Sequence, residues 1–221
     1  DWAMVQPELA TTTRVCAYDR AGMGWSDPSP RARTPDAIAE ELHALLVNAN
    51  IAGPYVLVAH SLSGKFARLF ALRHMDEISG MVMVDARSEY VDALTTPAEN
   101  RVFVEAVEAQ GRQYTLARRF GIARLFGANL AGVSGLPAET RRLMALRGTQ
   151  ESAIAATTAE ARARAASDAE LEAAPTLGAL PLIVLVSGQS IAMVPHWEDA
   201  QRRQAALSSA GRMVIASGSS H

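Results

Sequence analysis

Cysteine is nearly absent: Cys16 is the single one in 221 residues. An intramolecular disulfide is therefore impossible, and a cysteine-based metal cluster is excluded. Cys16 stands in the apolar run Val15 to Tyr18, which predicts a buried thiol rather than a nucleophile, and the low usage fits a reducing compartment. Lysine is equally scarce, with Lys65 alone, so no polybasic run is available for an anionic membrane surface. A formal net charge of −2, with Arg interleaved among Asp and Glu, lacks the clustered positive charge that nucleic acid requires. No apolar run is long enough to span a bilayer, so no membrane segment is expected in this chain. Gly22 and Gly24 lack the third glycine of a dinucleotide fingerprint, and no Gly-Lys-Ser/Thr occurs, so a phosphate-bearing cofactor is not expected. These glycines read instead as positive-φ turn residues.

What is present is a chain large enough for one domain with a sizeable core, or one domain carrying an insertion. Short apolar runs bounded by turn residues lie at Arg14 to Asp19, Tyr55 to His60, Met81 to Asp85 and Leu182 to Val186, with a weaker one at Met213 to Ala216. Runs of this length suit strands buried on both faces, as in a parallel sheet. Between them the spacing becomes helical. Thr34 is a candidate N-cap with Pro35 at the first helical position, and Ile38, Leu42, Leu45 and Leu46 follow on one face. Phe66, Leu69 and Phe70 repeat the pattern after the second run, and a further helix is expected over Trp197 to Leu207. Strand–helix alternation with right-handed crossovers predicts an α/β fold with a doubly wound, mainly parallel sheet.

Residues 87–176 break the alternation, being rich in Ala, Arg and Glu without a convincing strand. The expected organisation is therefore a core over 1–86 and 177–221, interrupted by a helical lid or cap insertion over 87–176.

The most informative segment is Tyr55-Val-Leu-Val-Ala-His-Ser-Leu-Ser-Gly64. A strand runs straight into a small-x-Ser-x-small turn and then into an amphipathic helix. A serine on so tight a turn has its Oγ pushed clear of the sheet, and the residues two before and two after it, Ala59 and Ser63, must be small. The helix that starts there aims its free N–H groups at the serine. This turn resembles the nucleophile elbow of the α/β-hydrolase superfamily, usually G-x-S-x-G, with Ala59 and Ser63 in place of the two glycines. Arg14 to Ser26 resembles the family's fourth strand and the loop after it, Met81 to Ala86 the sixth strand, Pro181 to Gly188 the seventh, and Arg212 to His221 the eighth with its trailing histidine.

A serine hydroxyl needs a general base. Of five histidines, His43 and His74 lie on helical stretches and read as solvated or structural, and His60 as a pocket or packing residue; His196, in a loop, rivals His221. The resemblance favours His221. The acid follows the sixth or the seventh strand in this family. The loop Ser187-Gly188-Gln189-Ser190-Ile191 holds no carboxylate before Glu198 and Asp199, which moves the choice to Asp85. By the resemblance Asp19, another strand-end carboxylate, is structural, either pairing with Arg20 or capping the glycine loop.

The resemblance thus implies a serine hydrolase acting on an ester or similar acyl bond. Ser61, Asp85 and His221 are the catalytic residues, the Leu62 N–H is one oxyanion donor, and no metal or organic cofactor takes part. Other chemistry on the same site, such as lyase or perhydrolase activity, and a non-catalytic binding role are the alternatives. Phe103, Phe120, Leu125, Phe126, Leu130 and Leu143 suggest a small-molecule partner with an apolar acyl group, or simply the insertion's own core, which is the preferred reading for most of them. The family's second oxyanion donor lies in a loop upstream of Asp1, and its last helix lies beyond His221. The sequence is accordingly expected to be truncated at both ends, with little activity of its own.

Overall fold

The computed structural model describes residues 2–122 and 136–221. Four strands, β1 (Tyr55–His60), β2 (Ile78–Val84), β3 (Leu182–Ser187) and β4 (Gly211–Ala216), form one sheet in the order β1-β2-β3-β4, and every pairing is parallel. The register pairs His60 with Val84, Val84 with Leu185, and Ser187 with Ala216, so the carboxyl ends of the strands come out level along one edge. Parallel neighbours need crossovers, and helices supply them.

The helices are α1 (Val5–Leu9), α2 (Pro35–Asn48), α3 (Ser63–Arg73), α4 (Glu89–Ala93), α5 (Pro97–Arg119), α6 (Ala138–Gly148), α7 (Glu151–Ala163), α8 (Asp168–Ala173), α9 (Gly188–Met193) and α10 (Trp197–Ala205). The Thr34 hydroxyl caps α2 by accepting from the Ala37 N–H at 3.2 Å, with Pro35 in the first turn, as its sequence predicts. Helix α3 buries Phe66, Leu69 and Phe70 against β1 and β2. At about 1.5–3 kcal/mol for each such side chain, this stripe fixes the helix on the sheet. Between β2 and β3 the described residues contain helices and no strand.

The chain divides into two compact units. Residues 33–100 and 163–221 form one, which holds the sheet and its core. Residues 1–32 and 101–162 form the other. In the latter, Gly22 and Gly24 adopt φ of +83° and +52°, and the Asp19 carboxylate accepts from the Trp25 N–H at 3.1 Å. A Cβ on Gly24 would lie 2.2 Å from that carboxylate, so Asp19 caps the glycine loop as expected. Arg20 pairs with Glu160 at 2.8 Å.

Four expectations are corrected. Arg14 to Asp19 is no strand, because apolar character alone makes no ladder and among the described residues this run pairs with none. Cys16, on that uncovered run, is exposed rather than buried. Strands β1 and β4 are not buried on both faces: along β1 the exposed Val56 and Val58 alternate with more buried neighbours, as in a strand covered on one face, whereas β4 holds no buried residue and Val214 and Ile215 are exposed in succession. Phe103, Phe120 and Leu143 are exposed instead of forming an insertion core: Phe103 and Leu143 lie on exposed positions of α5 and α6, and Phe120 in the turn just past the end of α5. Leu125, Phe126 and Leu130 fall outside the described residues.

Candidate active site

Three strand ends build the site. Strand β1 delivers Ser61 into a turn at φ +54°, left-handed backbone that a serine adopts only when its surroundings impose it. The surroundings are specific. The Ser61 carbonyl accepts from the Gly64 N–H at 3.1 Å and the Arg87 N–H at 2.8 Å, and the Ser61 N–H donates to the Val84 carbonyl at 3.3 Å. Gly64 has no room for a side chain: a Cβ there would lie 2.7 Å from the Arg87 carbonyl oxygen and 2.8 Å from the Ala86 Cβ. Ala59, two residues before Ser61, is buried. Among the described residues the Leu62 N–H, at the start of α3, donates to no acceptor.

Strand β2 ends on Asp85, also at positive φ (+44°) and only 3% exposed. Its Oδ1 accepts from the Ser187 N–H at 3.1 Å and the Trp197 Nε1–H at 2.8 Å, and its Oδ2 from the Ser190 hydroxyl at 2.5 Å. Burial alone would raise this carboxyl, but hydrogen bonds from His221, Ser190, Ser187 and Trp197 outweigh it and pull the pKa down to about 2. Asp85 is therefore an anion that only accepts.

Strand β4 leads through residues 217–220 to His221. That loop is tied to the one after β3, where the Ser187 hydroxyl and the Gln189 N–H both donate to the Ser219 carbonyl. Gly188 allows the approach, since a Cβ on it would lie 2.4 Å from the Ser217 carbonyl oxygen. The His221 Nδ1 lies 2.5 Å from Asp85 Oδ2, and its Nε2 lies 3.0 Å from Ser61 Oγ. Because the carboxylate can only accept, Nδ1 carries the proton, and Nε2 presents its lone pair to the Ser61 hydroxyl. The His60 ring sits 4.8 Å from that of His221, and burial followed by the charge of His221 lowers its pKa.

The structure thus brings Ser61, Asp85 and His221 into one hydrogen-bonded chain. It leaves their rivals apart. His196 is exposed at the start of α10, Glu198 pairs with Arg202, and Asp199 is exposed; among the described residues none of them bonds to Ser61 or His221. Sequence reasoning missed Ser190 and Trp197, the two side chains other than His221 that bond to Asp85. Ser190 lies in the stretch searched for a carboxylate, where a hydroxyl serves as donor instead. A cavity of about 330 Å³, lined by Ile191 to Asp199, adjoins the site through Trp197.

His43, His74 and Glu77 bring their ligand atoms within 4.8 Å of one another. The two imidazoles are stacked, with centroids 3.7 Å apart and planes 9° apart. A cation takes an imidazole lone pair in the ring plane, and two near-parallel planes share no such point. In these rotamers the trio is instead a hydrogen-bonded cluster, with His43 Nε2 3.1 Å from Glu77 Oε1.

A family model described as alpha/beta hydrolase fold matches residues 1–218. The chain belongs to the α/β-hydrolase fold family. An uncharacterized protein of Schizosaccharomyces pombe is 31% identical over 211 residues, covering 92% of this chain. The chain spans only 37% of that relative's length. Two solved structures share the fold. A thermophilic esterase from Thermogutta terrifontis gives a TM-score of 0.63 at 24% identity, over 95% of this chain and 73% of that one. An esterase from Exiguobacterium antarcticum gives 0.62 at 14% identity, over 89% and 70%. No described helix is long and apolar enough to cross a membrane.

Proposed function

We propose that the protein is a serine hydrolase that cleaves an ester or similar acyl bond of a small molecule through an acyl-enzyme. The observation that carries this reading is the continuous chain from Asp85 Oδ2 through His221 to Ser61 Oγ, at 2.5 and 3.0 Å. Asp85 fixes the imidazole tautomer and stabilises its protonated form. His221 Nε2 takes the hydroxyl proton as Ser61 Oγ attacks the carbonyl carbon. The oxygen that becomes negative is met by the Leu62 N–H at the start of α3. His221 then hands its proton to the leaving alcohol. Water, deprotonated by the same ring, releases the acid and restores Ser61.

The pocket beside Trp197 is of a size for a compact acyl group, and its lining combines Ile191, Met193 and Val194 with the polar His196, Glu198 and Asp199. The test is covalent labelling of the full-length protein with a fluorophosphonate, with the adduct mapped by mass spectrometry. Labelling at Ser61, lost in Ser61→Ala and His221→Ala, supports the reading. A folded protein that resists the reagent refutes it.

A further inference from the structure

The one lysine of the chain is fully buried, four residues after Ser61 on α3. All three hydrogens of its ammonium are used. Nζ bonds the carboxylates of Asp92 and Asp168 and, at 3.0 Å, the Arg164 carbonyl. Asp92 is shared in turn: its Oδ1 accepts from Arg87 Nε at 2.8 Å and from Arg164 Nε at 3.4 Å. Burial would raise the Asp92 carboxyl, but Lys65 and Arg87 hold it below its ordinary value. Asp168, hydrogen-bonded to Lys65 and with Asp92 as a neighbour, is pushed up by burial.

Buried ion networks of this kind do not account for themselves as stabilisers, because well-packed apolar residues in their place are often neutral or better. This one has a further property: it closes on the candidate nucleophile. From Ser61 the chain runs along α3 to Lys65; Lys65 grips Asp92; Asp92 grips Arg87; and the Arg87 N–H returns to the Ser61 carbonyl at 2.8 Å. The Arg87 carbonyl also lies against Gly64, in the same turn. The ring of contacts therefore braces a backbone held at φ +54°.

We propose that Lys65 is a positioning residue for Ser61, acting through Asp92 and Arg87; this rests on Ser61 being the nucleophile. Lys65 touches no substrate. It fixes the backbone from which Oγ projects, so its loss lowers the rate of attack and leaves substrate affinity alone.

The test uses the full-length protein, p-nitrophenyl butyrate as substrate, and a fluorophosphonate to count competent sites. Lys65→Met and the milder Arg87→Met, which leaves Asp92 paired with Lys65, are each expected to lower kcat per titrated site by about 10- to 100-fold with KM within about twofold. Arg87→Lys is expected to recover part of the loss, and Arg202→Ala, on a surface pair, to match wild type. A purely structural role would lower the thermal midpoint and the number of titratable sites but leave kcat per site unchanged, and that result overturns the proposal. Should Lys65→Met fail to fold, Arg87→Met decides alone. If wild type itself takes no label, the nucleophile assignment falls instead, and the two failures are told apart by that control.

Discussion

The imidazole of His221 lies 2.5 Å from the carboxylate of Asp85 although 136 positions separate them in the chain. Asp85 also takes hydrogen bonds from Ser187, Ser190 and Trp197, so one carboxylate gathers four donors from the β3 and β4 side of the sheet. Asp85→Asn keeps the shape but replaces an acceptor with a group that also donates. It is expected to favour the wrong imidazole tautomer and to lower kcat by roughly three to four orders of magnitude. Steady-state kinetics on a p-nitrophenyl ester measures this, and a loss below about tenfold would contradict the role given to Asp85.

Acid stability follows from the same residue. Its folded pKa, about 2, lies below the ordinary 3.8. The stabilisation is therefore complete above about pH 4 and is lost as the pH falls towards 2, amounting to about 2 kcal/mol. Urea midpoints between pH 5 and 2 should fall for wild type and change less for Asp85→Asn.

Trp197→Phe removes one donor to Asp85 while keeping most of the buried ring. The expected cost is about 1–2 kcal/mol of stability with a lower kcat and an unchanged KM. A KM that rises instead would mean that Trp197 binds substrate rather than holding the acid. Thermal denaturation paired with initial rates separates the two.

Strain at Ser61 can be read directly. Glycine tolerates φ +54° and serine does so poorly, so Ser61→Gly is expected to be about 1 kcal/mol more stable than Ser61→Ala, with both inactive. Denaturant unfolding of the two variants gives the comparison, and equal stabilities would show that the turn is not strained.

Gly188→Ala places a Cβ 2.4 Å from the Ser217 carbonyl oxygen. The loop that carries His221 has to move, so fluorophosphonate labelling is expected to fall by about 100-fold while circular dichroism stays close to wild type. Labelling at the wild-type rate would show that the two loops are not coupled.

The sheet and the Ser61 turn were legible because their demands are local. Four apolar runs with turn residues at their ends became β1 to β4, and small residues either side of Ser61 announced the bend. Asp85 could be chosen from the lack of a carboxylate after β3. Ser190 and Trp197 could not, because their bonds to Asp85 span 105 and 112 positions and arise only when α9 and α10 settle on the sheet. The partners of Lys65 were hidden in the same way. Arg14 to Asp19 shows the converse failure: a run with the right composition forms no strand without a neighbour, and nothing within the run reveals that.

Strand β4 pairs with β3 alone among the described strands, and His221, at the end of the segment that follows it, has nearly half its side chain open to water. Asp85 behind it is enclosed. A water-borne reagent that modifies imidazoles should therefore reach the ring of His221 without reaching the carboxylate that it bonds.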